Sequence, residues 1–241
     1  MSGEPYIVMA ADFPFKLPKG KEGLQLKPIL EGLVGCNDLV AVKIGILTLD
    51  KKSYLEEVAC AIRDTGKLVI FDMQKMGQDI PEVTLKQAEL FGSVSNSVIV
   101  YPKSLGHWNA AYEGAVVKSG SNLITVLYMT DGCDDLEKRK ALTKEILTQT
   151  KEKNLTFFGT VLPANKPQII DTFVEIFKEY NVCPEIFSPG LEAQGGKAYE
   201  IGKRGAHGIA GRAIYDAKDQ IAAIKELKSE LLRGYKERKG G

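Results

Sequence analysis

Eight short, apolar, β-branched runs separated by amphipathic segments constrain this chain more than any other feature. The runs occupy residues 6–11, 39–44, 68–71, 97–100, 123–129, 156–160, 185–187 and 208–210. Most are nearly continuous in hydrophobicity rather than alternating, which suits parallel strands buried on both faces. Between them apolar residues recur at helical spacing: Ile169, Ile170, Phe173, Ile176 and Phe177 form one stripe, and Ile221, Ile224, Leu227 and Leu231 another. Repeated strand–helix units predict an α/β fold, and eight of them in 241 residues match a single-domain (β/α)8 TIM barrel over residues 1–241. An open doubly wound sheet shares this periodicity. The count of eight and the lack of a Pro/Ser-rich linker favour the closed barrel. The basic tail, residues 236–241, is expected to fray.

Charge narrows the range of partners. With 32 basic against 31 acidic residues the net charge is +1, which announces neither a nucleic-acid nor a membrane partner. No apolar run approaches bilayer-spanning length, and the first residues carry no leader-like pattern, so a cytoplasmic location is expected. Cys36, Cys60, Cys133 and Cys183 are scattered, with no Cys-x-x-Cys and only two histidines to help. Neither a zinc site nor a disulfide framework follows, and the thiols read as reduced and mostly core.

In a barrel, groups at the carboxyl ends of strands converge on one mouth. Here those ends carry Asp12 after the first run, Lys43 within the second and Asp72 at the third, followed by Lys75, Asp79, Ile80 and Pro81. Two carboxylates and an ammonium at a strand end are a poor way to stabilise a fold, although a solvated loop has the same composition. The fifth run leads to Thr130. The seventh leads into Ser188-Pro189-Gly190 and on to Gln194-Gly195-Gly196, and the eighth into Gly211-Arg212 and Tyr215. The last two segments suit a phosphate, because Gly-rich backbone can bring N–H groups close to an anion and a guanidinium offers paired donors.

Taken in order, these segments resemble the orotidine 5′-monophosphate decarboxylase family over nearly the whole chain. The carrying motifs are Asp12, Lys43-Ile44-Gly45, the run from Asp72 to Pro81, Ser188 to Gly196, and Gly211 to Tyr215. The Gln-Gly-Gly version of the phosphate loop sets the resemblance apart from related sugar-phosphate barrels. It implies decarboxylation of orotidine monophosphate to UMP in pyrimidine biosynthesis, by a lyase that needs no cofactor and no metal. It further implies Lys75 as proton donor, Asp72 against the departing carboxylate, and Lys43 and Asp79 completing an alternating network. Asp12 and Lys43 would contact the ribose, and Thr130 the pyrimidine. Pro189, Gln194, Gly211 and Arg212 would surround the phosphate. Ile80 would contact the substrate, and Asp79 would reach a neighbouring subunit's site, which implies a homodimer.

One motif departs from the family pattern. The third strand reads Asp72-x-x-Lys75-x-x-x-Asp79, with one extra residue on each side of the lysine. Positions i and i+3 on a strand do not share a face, so Asp72 and Lys75 meet only if the chain leaves the strand after Asp72. Met76-Gly77 offers a place to absorb the added length, while in another register Gln74 replaces the lysine. Glu192 in the phosphate loop must point outward or pair with Lys197, and Lys103 is either an extra phosphate or loop contact or, the simpler reading, solvated. Two alternatives stay open from the residues: a magnesium-dependent sugar-phosphate lyase or decarboxylase of the same superfamily, and a non-catalytic nucleotide-binding paralogue.

Overall fold

The computed structural model describes residues 3–14, 25–48, 55–73, 77–129 and 134–240. Within them, strands β1 (Ile7–Ala11), β2 (Leu39–Ile44), β3 (Leu68–Asp72), β4 (Ser97–Val100), β5 (Asn122–Val126), β6 (Gly159–Val161), β7 (Glu185–Pro189) and β8 (His207–Ala210) pair in sequence order, all parallel, and β8 closes on β1. This is the (β/α)8 barrel that the periodicity predicts.

Helices α1 (Leu26–Gly32), α2 (Leu55–Asp64), α3 (Pro81–Gly92), α4 (Leu105–Tyr112), α5 (Leu136–Glu152), α6 (Pro167–Glu179), α7 (Ala198–Lys203), α8 (Arg212–Tyr215) and α9 (Gln220–Gly240) follow the strands. Their starts are local chemistry. Pro81 and Pro167 open α3 and α6, where a missing N–H costs nothing. The Asp135 carboxylate caps α5, accepting the N–H groups of Glu137 (3.1 Å) and Lys138 (3.2 Å). The stripe Ile169, Ile170, Phe173, Ile176 and Phe177 is buried on α6, and Ile224, Leu227 and Leu231 are buried on α9.

Strand periodicity sorts side chains into two cores. Val8, Ala10, Ala41, Ile70, Ile99, Ile124, Val126, Val161, Phe187 and Ile209 fill the barrel interior. The alternate positions, such as Met9, Val42, Phe71 and Val98, face the helices. Phe71 stacks on Phe91 of α3 with centroids 4.0 Å apart, and the Trp108 indole of α4 donates to the Thr125 hydroxyl at 3.0 Å. The closed end of the barrel is sealed by a polar plug. The Tyr6 N–H donates to His207 Nδ1 (3.2 Å), so the ring proton sits on Nε2, which donates to the Glu185 carboxylate at 2.6 Å. Burial and then nearby Glu185 push the Tyr6 hydroxyl up to about 12.

Helix α9 continues through Gly240; Tyr235 is buried with its hydroxyl donating to the Gly3 carbonyl (3.2 Å), and Arg238 donates to the Arg204 carbonyl (2.8 Å). Two expectations need correction. Cys60 and Cys183 are exposed rather than core, and Cys36 alone of the three described thiols is buried. Ladder pairing in β5 stops at Val126, three residues before the apolar run ends, and β6 starts only at Gly159. Thr156 leaves the ladder because its N–H goes to the Tyr112 hydroxyl (3.2 Å).

Candidate active site

Period two carries the interior-facing register one step beyond the apolar layer, to Asp12, Lys43, Asp72, Pro189 and Gly211. All five line one cavity of about 550 Å³ at the carboxyl ends of the strands, together with Gln194 and Arg212. That size is within the range of small-ligand sites.

One wall is ionic. Lys43 Nζ lies 2.6 Å from Asp72 Oδ2 and 3.3 Å from Asp12 Oδ1. The Lys43 and Asp72 side chains are 9% and 7% exposed, whereas Asp12 is 56% exposed, so the first contact is dry and the second is wetted. Burial by itself depresses the Lys43 ammonium, but the carboxylates of Asp72 and Asp12 outweigh it and hold its pKa above the ordinary 10.5. Buried Thr48, just past β2, fixes this corner by donating its hydroxyl to the Ala11 carbonyl at 2.6 Å.

The opposite wall is a folded loop and a helix start. Gly190 has φ +94°, and the Gln194 side chain packs over it so closely that a Cβ there would lie 2.8 Å from Oε1. The loop closes on itself through Gly196 N–H to the Gly190 carbonyl (3.1 Å) and Glu192 N–H to the Gly196 carbonyl (2.8 Å). Glu192 pairs with Lys197 at 2.7 Å and is not among the residues lining the cavity, which answers the objection to a carboxylate in this loop. The Arg212 guanidinium reaches the Ala193 carbonyl (3.5 Å), and Gly211 caps α8 beside it.

Of the residues singled out from sequence, Asp12, Lys43, Asp72, Pro189, Gln194, Gly211 and Arg212 come together. Lys75 and Thr130 lie outside the described residues. Asp79 and Ile80 do not join the chain's own cavity. Asp79 is exposed, with its carboxylate accepting the Ile80 N–H (2.8 Å) and its carbonyl bonded to the His107 ring, and Ile80 is 57% exposed at the start of α3. Lys103 is exposed, as read.

Sequence reasoning missed Asn165, Met129 and Ala193, which also line the cavity. Asn165 had a signal, a Pro-Ala-Asn-Lys-Pro turn between a strand and a proline-opened helix. Its Oδ1 is buried with no hydrogen-bond partner among the described residues. No group of three or more His, Cys, Asp and Glu side chains gathers as a metal site among the described residues.

Comparison with known proteins places the chain among relatives of known name. The orotidine 5′-phosphate decarboxylase of Pyrococcus horikoshii is 31% identical over 170 residues, spanning 70% of this chain and 76% of that protein. The Pyrococcus abyssi orotidine 5′-phosphate decarboxylase is 37% identical over 169 residues, spanning 69% and 75%. Among solved structures, orotidine 5′-monophosphate decarboxylase from Sulfolobus solfataricus superposes with a TM-score of 0.72 at 20% identity, covering 96% of this chain and all of the other. The Methanocaldococcus jannaschii enzyme complexed with the inhibitor BMP gives 0.71 at 20% identity over 95% of this chain and all of that one. A family profile described as orotidine 5′-phosphate decarboxylase / HUMPS matches residues 6–227, and the chain belongs to that family.

Proposed function

We propose that this chain decarboxylates orotidine 5′-monophosphate to UMP in pyrimidine biosynthesis. The observation that carries the reading is the shared cavity: the buried Lys43–Asp72 pair on one wall faces a glycine-rich loop with Gln194 and Arg212 on the other. Such a site can grip a phosphate at one end and keep a fixed charge array at the other. The relatives of known name support the substrate.

The reaction breaks the bond between C6 of the pyrimidine and its carboxylate. Carbon dioxide leaves, the electron pair stays on C6, and a proton from the Lys75 ammonium fills it to give UMP. Asp72 stands against the substrate carboxylate, favouring its conversion to neutral carbon dioxide. Lys43, held charged by Asp72 and Asp12, fixes the position of the Asp72 carboxylate and, with Asp12, binds the ribose. Thr130 meets the pyrimidine. Pro189, Gln194, Gly211 and Arg212 hold the phosphate, whose binding energy helps lower the barrier at the distant carbon.

Exposure of Asp79 just before α3 supports its delivery to a partner's site in a homodimer. No described helix is long and apolar enough to cross a membrane, and a cytoplasmic location suits the proposed pathway. The magnesium-dependent alternative is disfavoured by the Asp72 carboxylate lying 2.6 Å from an ammonium that already supplies positive charge. Incubating the protein with orotidine monophosphate in EDTA tests the reading: UMP is expected to accumulate at the same rate with and without chelator. Tight UMP binding with no turnover would show the binding-only paralogue instead.

A further inference from the structure

Arg139, in the first turn of α5, is 7% exposed. Its guanidinium serves three main-chain carbonyls from two separate segments. Nε donates to Leu127 (2.9 Å), Nη2 to Val126 (2.5 Å) and Nη1 to Pro102 (2.9 Å). The Tyr101 ring lies beneath it, 4.4 Å from the guanidinium carbon. The Tyr101 hydroxyl donates to one oxygen of Asp134, and the other accepts the Met129 N–H at 2.6 Å.

These bonds end on the segments nearest the chemistry. Val126 is the last residue of β5, Met129 lines the cavity, and Thr130 follows it. On the other side, Lys103 follows Pro102 and donates its N–H to the Gly77 carbonyl at 2.9 Å, two residues past Lys75. A helix needs no arginine to pack on a barrel, and burying a guanidinium is costly. What an apolar side chain cannot do is bind carbonyls from two segments at once with a planar fork of donors.

We propose that Arg139 is a positioning residue that ties the loop after β4 to the end of β5, and thereby holds the segments leading to Lys75 and Thr130 at one separation across the mouth. The roles of Lys75 and Thr130 rest on the decarboxylase reading; the linkage itself does not.

Hydrogen–deuterium exchange on the whole protein tests the linkage, using Arg139→Met, Arg139→Lys and Tyr101→Phe. In Arg139→Met, exchange over residues 77–80 and 127–135 should rise about tenfold or more while β1 and β2 stay within about twofold. Tyr101→Phe, which removes the hydroxyl that bonds Asp134 and keeps the ring under Arg139, should raise exchange over 127–135 more than over 77–80. Turnover of orotidine monophosphate by Arg139→Met should fall about tenfold or more in kcat with KM within about threefold, the signature of misplaced reacting groups. Arg139→Lys keeps the charge without the fork and should restore little of it. Unchanged exchange at 127–135 in Tyr101→Phe and Arg139→Lys overturns the proposal even if Arg139→Met does not fold, as does a rise spread evenly over the barrel. A wild-type protein that makes no UMP defeats the decarboxylase reading, while the exchange result still decides the linkage.

Discussion

Replacing Lys43 by Met should cost far more than an ordinary lysine substitution. The Asp72 carboxylate would lose an ammonium 2.6 Å away in a place where its side chain is only 7% exposed, so water replaces little of that contact. Breaking a buried pair by removing one partner costs about 3–5 kcal/mol, and the Lys75 ammonium proposed beside Asp72 keeps the cost at the low end, about 3 kcal/mol. For a chain of this size each kcal/mol moves the melting midpoint by about 2–4 °C, so a fall of roughly 6–12 °C is expected. Asp72→Asn should cost less, about 1–3 kcal/mol, because Lys43 keeps Asp12 at 3.3 Å and that carboxylate is half in water. The double variant should then be more stable than the sum of the singles by at least about 1.5 kcal/mol. Calorimetry or urea unfolding of the four proteins reads this cycle. The raised Lys43 pKa adds a check of sign: its stabilisation is complete below the ordinary 10.5 and is lost only as pH rises through the higher folded value. The stability gap between wild type and Lys43→Met should therefore be flat through neutral pH and shrink above 10.5. A Lys43→Met cost under about 1 kcal/mol, or additivity within about 0.5 kcal/mol, would refute the reasoning that this pair is dry and coupled.

Other outcomes follow from the same geometry. Arg212→Ala should lower kcat/KM by about 10- to 150-fold, the worth of hydrogen bonds to a charged phosphate, as steady-state kinetics with orotidine monophosphate would read. Gly77→Ala should destabilise by about 1–3 kcal/mol and depress kcat, since Gly77 has φ +93° and a Cβ would lie 2.8 Å from the Tyr101 carbonyl. Mixing Lys75→Ala with Asp79→Ala, each inactive alone, should regain about a quarter of wild-type activity if Asp79 serves the partner's site; no recovery would count against shared sites. At the closed end, the hydrogen bond from His207 holds the Glu185 carboxyl below its ordinary 4.5 against the opposing effect of burial. That contribution is present above 4.5 and lost as pH falls through the lower folded value, so Glu185→Gln should flatten the acid limb of the stability profile.

The barrel was legible because buried parallel strands are written as apolar runs, and β2 and β4 fall on the residues expected. The two ends of β5 and β6 were not, because apolar character does not say where a ladder stops. Leu127 keeps one ladder-like bond, its N–H to Val161 (3.2 Å), but its carbonyl goes to Arg139 and the Met129 N–H goes to the Asp134 carboxylate. In the sequence Arg139 is one charge among several on an amphipathic helix, and nothing local marks it as buried. The ionic wall was legible for the opposite reason: Asp12, Lys43 and Asp72 each stand at a strand end, and period two sends them all inward. Asn165 escaped notice because a turn Asn usually serves its own backbone.

The lengthened spacing around Lys75 makes its ammonium the group to locate. The decisive measurement is a crystal structure with UMP bound, reading the position of the Lys75 ammonium. Nζ is expected within about 2.6–3.2 Å of the Asp72 carboxylate and facing C6 of the pyrimidine. Lys75 turned to solvent, with Gln74 in its place against the base, would contradict it.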